Sequence, residues 1–134
     1  ECENALEFYR NYQTEVETRN FIYVKEASDI IQIFQKSKIP AVLLKGIAYY
    51  VLSDSDYFRC RLLGDIDCLV SEDHLAAAEE ALRSAGYRRI EEQTAGVPHS
   101  RNFIKRAGSF DMVIDLHWTI PVIDFDPLSL KQKT

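Results

Sequence analysis

A pair of aspartates two residues apart inside an apolar run, Leu62-Leu63-Gly64-Asp65-Ile66-Asp67-Cys68-Leu69-Val70, limits what this chain can fold into more than any other feature. A short apolar run bounded by polar sequence reads as a buried strand. Side chains along a strand alternate between faces, so Asp65 and Asp67 are expected on one face and Ile66, Cys68 and Val70 on the other. The chain must then build a sheet with one packed face and one face that accepts charge. Two neighbouring carboxylates repel unless a cation lies between them, and a divalent metal ion is the usual remedy.

The remaining pattern supplies elements to surround that strand. Residues 4–38 contain neither Gly nor Pro and read as two helices with a break near Thr18 to Phe21. Leu6, Tyr9 and Gln13 begin one face, and Val24, Ala27, Ile30, Ile31 and Phe34 form a stronger apolar stripe at helical spacing. Pro40 is expected to end the second helix. Ala41-Val42-Leu43-Leu44 reads as a buried strand, Lys45-Gly46 as a turn, and Ile47 to Leu52 as a short helix. A strand, turn and helix in that order offer backbone N–H groups to an anion. Ser53 to Arg61 reads as a polar loop carrying Asp54, Asp56, Arg59 and Arg61.

After the aspartate strand, Ser71 is a candidate N-cap, Leu75, Ala78, Leu82 and Ala85 form a helical core stripe, and Gly86 marks the stop. Tyr87 to Glu92 reads as a strand and Gln93 to Pro98 as a loop. His99 to Arg106 and Ser109 to Trp118 read as a hairpin turning at Ala107-Gly108. Pro121 and Pro127 break the segment beyond Trp118, and Ser129 to Thr134 reads as a frayed tail. The order argues for one α+β domain: a mixed α/β sheet with helices mainly on one face. Within it, residues 1–38 are expected to form the N-terminal helical pair, 39–118 the core, and 119–134 a tail.

In the last strand, Asp111-Met112-Val113-Ile114-Asp115-Leu116-His117-Trp118, alternation puts Val113, Asp115 and His117 on one face and Met112, Ile114, Leu116 and Trp118 on the core side. If this strand lies beside the aspartate strand, Asp115 joins Asp65 and Asp67. Three carboxylates on neighbouring strands suit a two-metal site for phosphoryl-group chemistry. Lys45 or the Gly46 backbone would contact outer phosphates, and Arg59 or Arg61 would offset charge developing on a leaving pyrophosphate. His117 taken alone reads as a hydrogen-bonded structural histidine, Trp118 as core packing, and Cys68 as a small buried hydrophobe. Arg88, Arg89, Arg101, Lys105 and Arg106 read mainly as solvated faces.

Composition narrows the partners. The 134-residue chain has a formal net charge of −5 and a pI near 5.2, which argues against a general nucleic-acid binder. Three cysteines, Cys2, Cys60 and Cys68, with no CxxC pair, argue against a disulfide framework or a cysteine-based zinc site and suit a reducing cytoplasm. No secretory leader is visible, and no apolar run approaches the roughly 18–20 residues of a membrane span.

The ordered set Leu43-Leu44-Lys45-Gly46, Arg61 through Gly64-Asp65-Ile66-Asp67, Gly86-Tyr87 and Asp115-Leu116-His117-Trp118 resembles the polymerase β-type nucleotidyltransferase superfamily, and within it a poorly characterised bacterial nucleotidyltransferase family. The resemblance runs from about Ile39 to Trp118. It implies a nucleotidyltransferase-like central sheet with flanking helices. It also implies Mg²⁺ (or Mn²⁺) held by Asp65, Asp67 and Asp115, an NTP contacted by Lys45, Gly46 and Arg61, and transfer of NMP to a hydroxyl of a small-molecule or protein acceptor. Two departures stand out: Lys45-Gly46 replaces the superfamily's usual Gly-Ser, and the spacing from Gly46 to Asp65 is longer than usual. The altered phosphate turn, with the short stretch after the third aspartate, motivates an alternative expectation, a nucleotide- or metal-binding module without catalysis that serves regulation or interaction. A third is a partner-binding domain using the helices of residues 4–38.

Overall fold

The structure is a computed structural model and describes residues 2–53, 60–91 and 99–120. The expectations for Asp54, Asp56 and Arg59, for the loop from Gln93 to Pro98, for the breaks at Pro121 and Pro127, and for the tail lie outside the described residues.

The expected pair of N-terminal helices is one helix, α1 (Cys2–Lys36). The polar stretch that suggested a break keeps helical geometry. The Thr14 hydroxyl donates to the Arg10 carbonyl at 2.9 Å and the Thr18 hydroxyl to the Thr14 carbonyl at 2.8 Å. Such back-bonding satisfies the hydroxyl inside a helix instead of competing with it. The buried face runs Val16, Asn20, Tyr23, Ala27, Ile30 and Phe34, alternating steps of four and three. Asn20 is the polar member that hid this phase from the sequence. Residues 2–15 extend beyond the packed body and are exposed, Leu6, Phe8, Tyr9 and Tyr12 included.

The end of α1 is set before Pro40 is reached. Ile39 N–H donates to the Phe34 carbonyl and Lys38 N–H to the Gln35 carbonyl, with Lys38 at φ +56°. This paired closure is a Schellman motif built on a lysine. Helix α2 (Lys45–Leu52) begins earlier than expected. Helix α3 (Leu75–Ser84) is preceded by a single 3₁₀ turn, Glu72–His74. Ser71 does not cap the backbone; its hydroxyl pairs with His74 Nδ1 at 2.7 Å. Gly86, at φ +91°, closes α3 as expected, with Tyr87 N–H bonded to the Leu82 carbonyl.

The strands are β1 (Ala41–Leu43), β2 (Ile66–Val70), β3 (Arg88–Arg89), β4 (Ser100–Ala107) and β5 (Phe110–His117). They form one mixed five-stranded sheet in the order β1-β2-β5-β4-β3. The central pair, β2 and β5, is parallel, and the other pairings are antiparallel. The strand expected from Tyr87 to Glu92 shrinks to two residues because Tyr87 is consumed by the α3 closure and buried. The β4–β5 hairpin turns at Gly108-Ser109, one residue later than expected, with Gly108 at φ +62° supplying the left-handed position.

One sheet face carries the core. Ile66, Cys68 and Val70 of β2, Met112, Ile114 and Leu116 of β5, and Phe103 of β4 are buried in one cluster with Tyr23, Ala27, Ile30 and Phe34 of α1 and Ala78 and Leu82 of α3. Each such fully buried aliphatic or aromatic side chain stabilises the fold by about 1.5–3 kcal/mol. Charged residues seal the rim. Glu26 of α1 accepts hydrogen bonds from the Tyr87 hydroxyl and from Lys105, and Arg101 pairs with Glu79 of α3. Trp118 does not enter the core as expected. It lies just past β5, half-buried, under the Arg101 guanidinium and beside Ile31, Phe34 and Val42 in an apolar groove at the β1 edge. Among the described residues, no helix is long and apolar enough to cross a membrane.

Candidate metal centre

The opposite sheet face is polar because β2 and β5 put their carboxylates there. In the parallel register Asp67 stands beside Asp115, and Leu69 stands beside His117. With Ile66 and Ile114 forced into the core, alternation leaves Asp67, Asp115 and His117 on one surface. Two of the three expected carboxylates are thereby adjacent.

His117 binds them together. Its Nε2 lies 3.0 Å from Asp67 Oδ1 and 3.0 Å from Asp115 Oδ2. Donor atoms of Asp67, Asp115 and His117 all fall within 4.8 Å of one another, a set able to hold a metal ion. Asp67 is only 2% and His117 only 6% exposed. The His117 ring stacks on that of His99, centroids 6.0 Å apart, which limits its rotation.

Lys45 completes the charge pattern. Its Nζ sits 2.5 Å from Asp67 Oδ1 while most of the side chain remains exposed. Lys45 adopts φ +51°, a conformation that costs a non-glycine residue about 1–2 kcal/mol. Leu44 N–H donates to the Asp67 carbonyl at 2.9 Å, which fastens the start of α2 to β2. Gly46 is the next residue. A Cβ there would meet Leu63 Cδ2 at 3.6 Å and Arg61 Cζ at 4.0 Å, ordinary contacts, so no described neighbour demands glycine at this position. The same contact places the Arg61 guanidinium beside the first turn of α2. Leu44, the N-cap residue, makes no side-chain cap to that turn.

Asp65 differs from its expected placement. It precedes β2 and is exposed, and it is not part of the tight Asp67–Asp115–His117 group. It still belongs to the same electrostatic neighbourhood. Partial burial of its carboxyl, followed by the charge of Asp67, pushes its pKa above the usual value, and Asp115 adds to the effect while Lys45 and Arg61 oppose it.

The other groups titrate as a set. Burial works against ionised Asp67, yet hydrogen bonds from His117 and Lys45 outweigh it and hold that carboxyl below its usual pKa. Burial is likewise outweighed at Asp115, by hydrogen bonds from His117 and Ser100. His117 is raised to about 9 by its bonds to Asp115 and then Asp67, so it is a cation at neutral pH. Lys45 is raised by its bond to Asp67. Two carboxylates are thus balanced by two side-chain cations, which is the charge one divalent ion supplies.

One acceptor is left over. Asp115 Oδ1 is buried and has no hydrogen-bond partner among the described residues. A buried carboxylate oxygen without a partner costs several kcal/mol in principle and needs a reason. A metal ligand position gives it one, and hard carboxylate oxygens are the donors that divalent cations take. The residues present therefore fit a divalent ion.

Sequence reasoning missed the scaffold behind the site. Buried Asn20 of α1 donates from Nδ2 to the Arg61 carbonyl at 2.7 Å and accepts from Leu63 N–H at 2.8 Å. The Tyr23 hydroxyl donates to the Gly64 carbonyl at 2.8 Å. Together they hold residues 61–64, the segment that delivers Asp65 and Asp67. The one available signal was a polar residue at a core phase of α1.

A family profile described as an uncharacterised nucleotidyltransferase matches residues 3–128. Neither a curated protein nor a solved structure matches the chain.

Proposed function

Since this chain belongs to the uncharacterised nucleotidyltransferase family, we propose that its polar sheet face transfers NMP from an NTP to a hydroxyl of a small-molecule or protein acceptor, with divalent metal ions and release of pyrophosphate. The observation that carries this reading is the register that sets Asp67 beside Asp115, whose buried Oδ1 has no hydrogen-bond partner among the described residues.

Bound divalent ions, Mg²⁺ or Mn²⁺, would neutralise phosphate charge and lower the pKa of the attacking hydroxyl. Asp65 and Asp67 would hold the ions that carry the phosphates, and Asp115 the ion nearest the acceptor. Asp115, toward the acceptor, would receive the hydroxyl proton. Lys45, paired with Asp67 and largely exposed, would be free to contact the outer phosphates once that carboxylate held an ion. The first turn of α2, to which Leu44 makes no side-chain cap and in which Gly46 has no Cβ, would offer backbone N–H groups to phosphate oxygens. Arg61, beside that turn, offsets charge on the departing pyrophosphate.

Pyrophosphate release from Mg²⁺- or Mn²⁺-NTP tests the reaction. Asp65→Asn and Asp67→Asn are expected to lose release by at least a hundredfold while keeping the wild-type circular dichroism spectrum. Wild-type-like release from either variant refutes the assignment. The Lys45–Asp67 ion pair favours a second reading, a nucleotide-binding module without catalysis. Calorimetric binding of Mg²⁺-NTP with no product over a panel of hydroxyl acceptors supports that module instead. The unpaired thiols and the acidic charge also suit a cytoplasmic protein acting on a nucleotide and not on a nucleic-acid polymer.

A further inference from the structure

We propose that His117 is itself a metal ligand, so that the acceptor-side position takes a first-row transition-metal ion such as Mn²⁺ in preference to Mg²⁺. The proposal rests on the nucleotidyltransferase reading for the role of that position, but the chemistry that selects the ion belongs to the side chains.

The donor spacing matches a ligand set. An octahedral ion with bonds of about 2.1 Å has adjacent ligand atoms about 3.0 Å apart. His117 Nε2 lies at 3.0 Å from Asp67 Oδ1 and 3.0 Å from Asp115 Oδ2, and the whole donor set spans no more than 4.8 Å. The same three atoms can therefore turn from one another to a common ion with little motion. Stacking on His99 holds the ring in that orientation. Asp115 Oδ1 is ready as a further oxygen donor.

Ligand type then decides selectivity. Mg²⁺ is a hard ion that takes oxygen ligands and dehydrates reluctantly. Imidazole favours the softer first-row ions, whose affinity rises from Mn²⁺ toward Cu²⁺. Two carboxylates and one imidazole thus shift preference away from Mg²⁺ relative to three carboxylates. On uptake, the Lys45 ammonium swings off Asp67 and the proton at His117 Nε2 leaves to solvent.

Electron spin-echo spectroscopy of Mn²⁺ added to the full chain tests this without any assay of turnover. The expected result is ¹⁴N modulation from one directly bound imidazole. It disappears in His117→Ala and in the isosteric-polar His117→Gln. By competition titration, wild type is expected to bind Mn²⁺ at least tenfold more tightly than Mg²⁺. Either His117 variant loses at least tenfold in Mn²⁺ affinity and less than threefold in Mg²⁺ affinity. Bound Mn²⁺ without ¹⁴N modulation in wild type, or equal losses for both ions, overturns the inference and leaves the nucleotidyltransferase reading standing. No binding of either ion by wild type, even with an NTP analogue present, overturns both.

Discussion

Replacing Asn20 by Ala removes the clamp that holds residues 61–64 beneath the candidate centre, and two of its bonds set the scale of the cost. Leu63 N–H loses its acceptor at 2.8 Å in a buried setting, and the Arg61 carbonyl loses its donor at 2.7 Å where partial exposure lets water replace it. A buried N–H left unpaired costs about 1–3 kcal/mol, and a replaceable bond about 0.5–1.5 kcal/mol. These two bonds sum to about 1.5–4.5 kcal/mol for Asn20→Ala. For a domain of this size, 1 kcal/mol lowers Tm by about 4 °C, so the drop is about 6–18 °C. Urea unfolding by circular dichroism measures it, with an unchanged slope against denaturant as the sign that only stability moved. Thr18→Ala is the control: it deletes an exposed hydroxyl that bonds only the Thr14 carbonyl, and its effect stays within about 0.5 kcal/mol. An Asn20→Ala loss below about 0.5 kcal/mol, or equal to that of Thr18→Ala, refutes the clamp.

Burial sets two further outcomes. Cys68 is fully buried and its thiol is pushed up to about 12, whereas Cys2 and Cys60 are exposed; a chromogenic disulfide reagent at pH 8 labels two thiols in the native protein and all three in urea, and rapid native labelling of the third contradicts the packing. Residues 2–15 of α1 lack the buried face that begins at Val16, and a helix of that length is marginal alone; their amides exchange in seconds, against hours or longer for Tyr23 to Phe34, and equal protection along α1 contradicts that division of the helix.

Much of the site was legible because strand alternation is a local rule. The contrast of Ile66, Cys68 and Val70 with Asp67, and of Ile114 and Leu116 with Asp115 and His117, fixes which side chains meet once the two strands pair. The acidic pair plus a later aspartate also pointed to that pairing. What stayed hidden depends on contacts distant in sequence. The continuity of α1 was masked by Thr18 and Asn20, and the reason for Asn20 lies more than forty residues away at Arg61 and Leu63. Asp65 reads as equivalent to Asp67, yet β2 starts at Ile66 and leaves it outside the tight donor set. His117 reads as an ordinary structural histidine because periodicity gives its face but not its bridging distance to two carboxylates. Lys45 at φ +51° and the Schellman closure on Lys38 fall on residue types that carry no turn signal.

The proposed nucleotidyl transfer would depend above all on Asp67 and Asp115 holding a cation beside a triphosphate. Crystals of the full chain soaked with Mn²⁺ and a non-hydrolysable NTP, measured at the manganese edge, test it directly. The expected result is an anomalous peak within about 2.3 Å of carboxylate oxygens from both residues, with the phosphates over the first turn of α2. A triphosphate bound elsewhere, or manganese that ignores both aspartates, contradicts it.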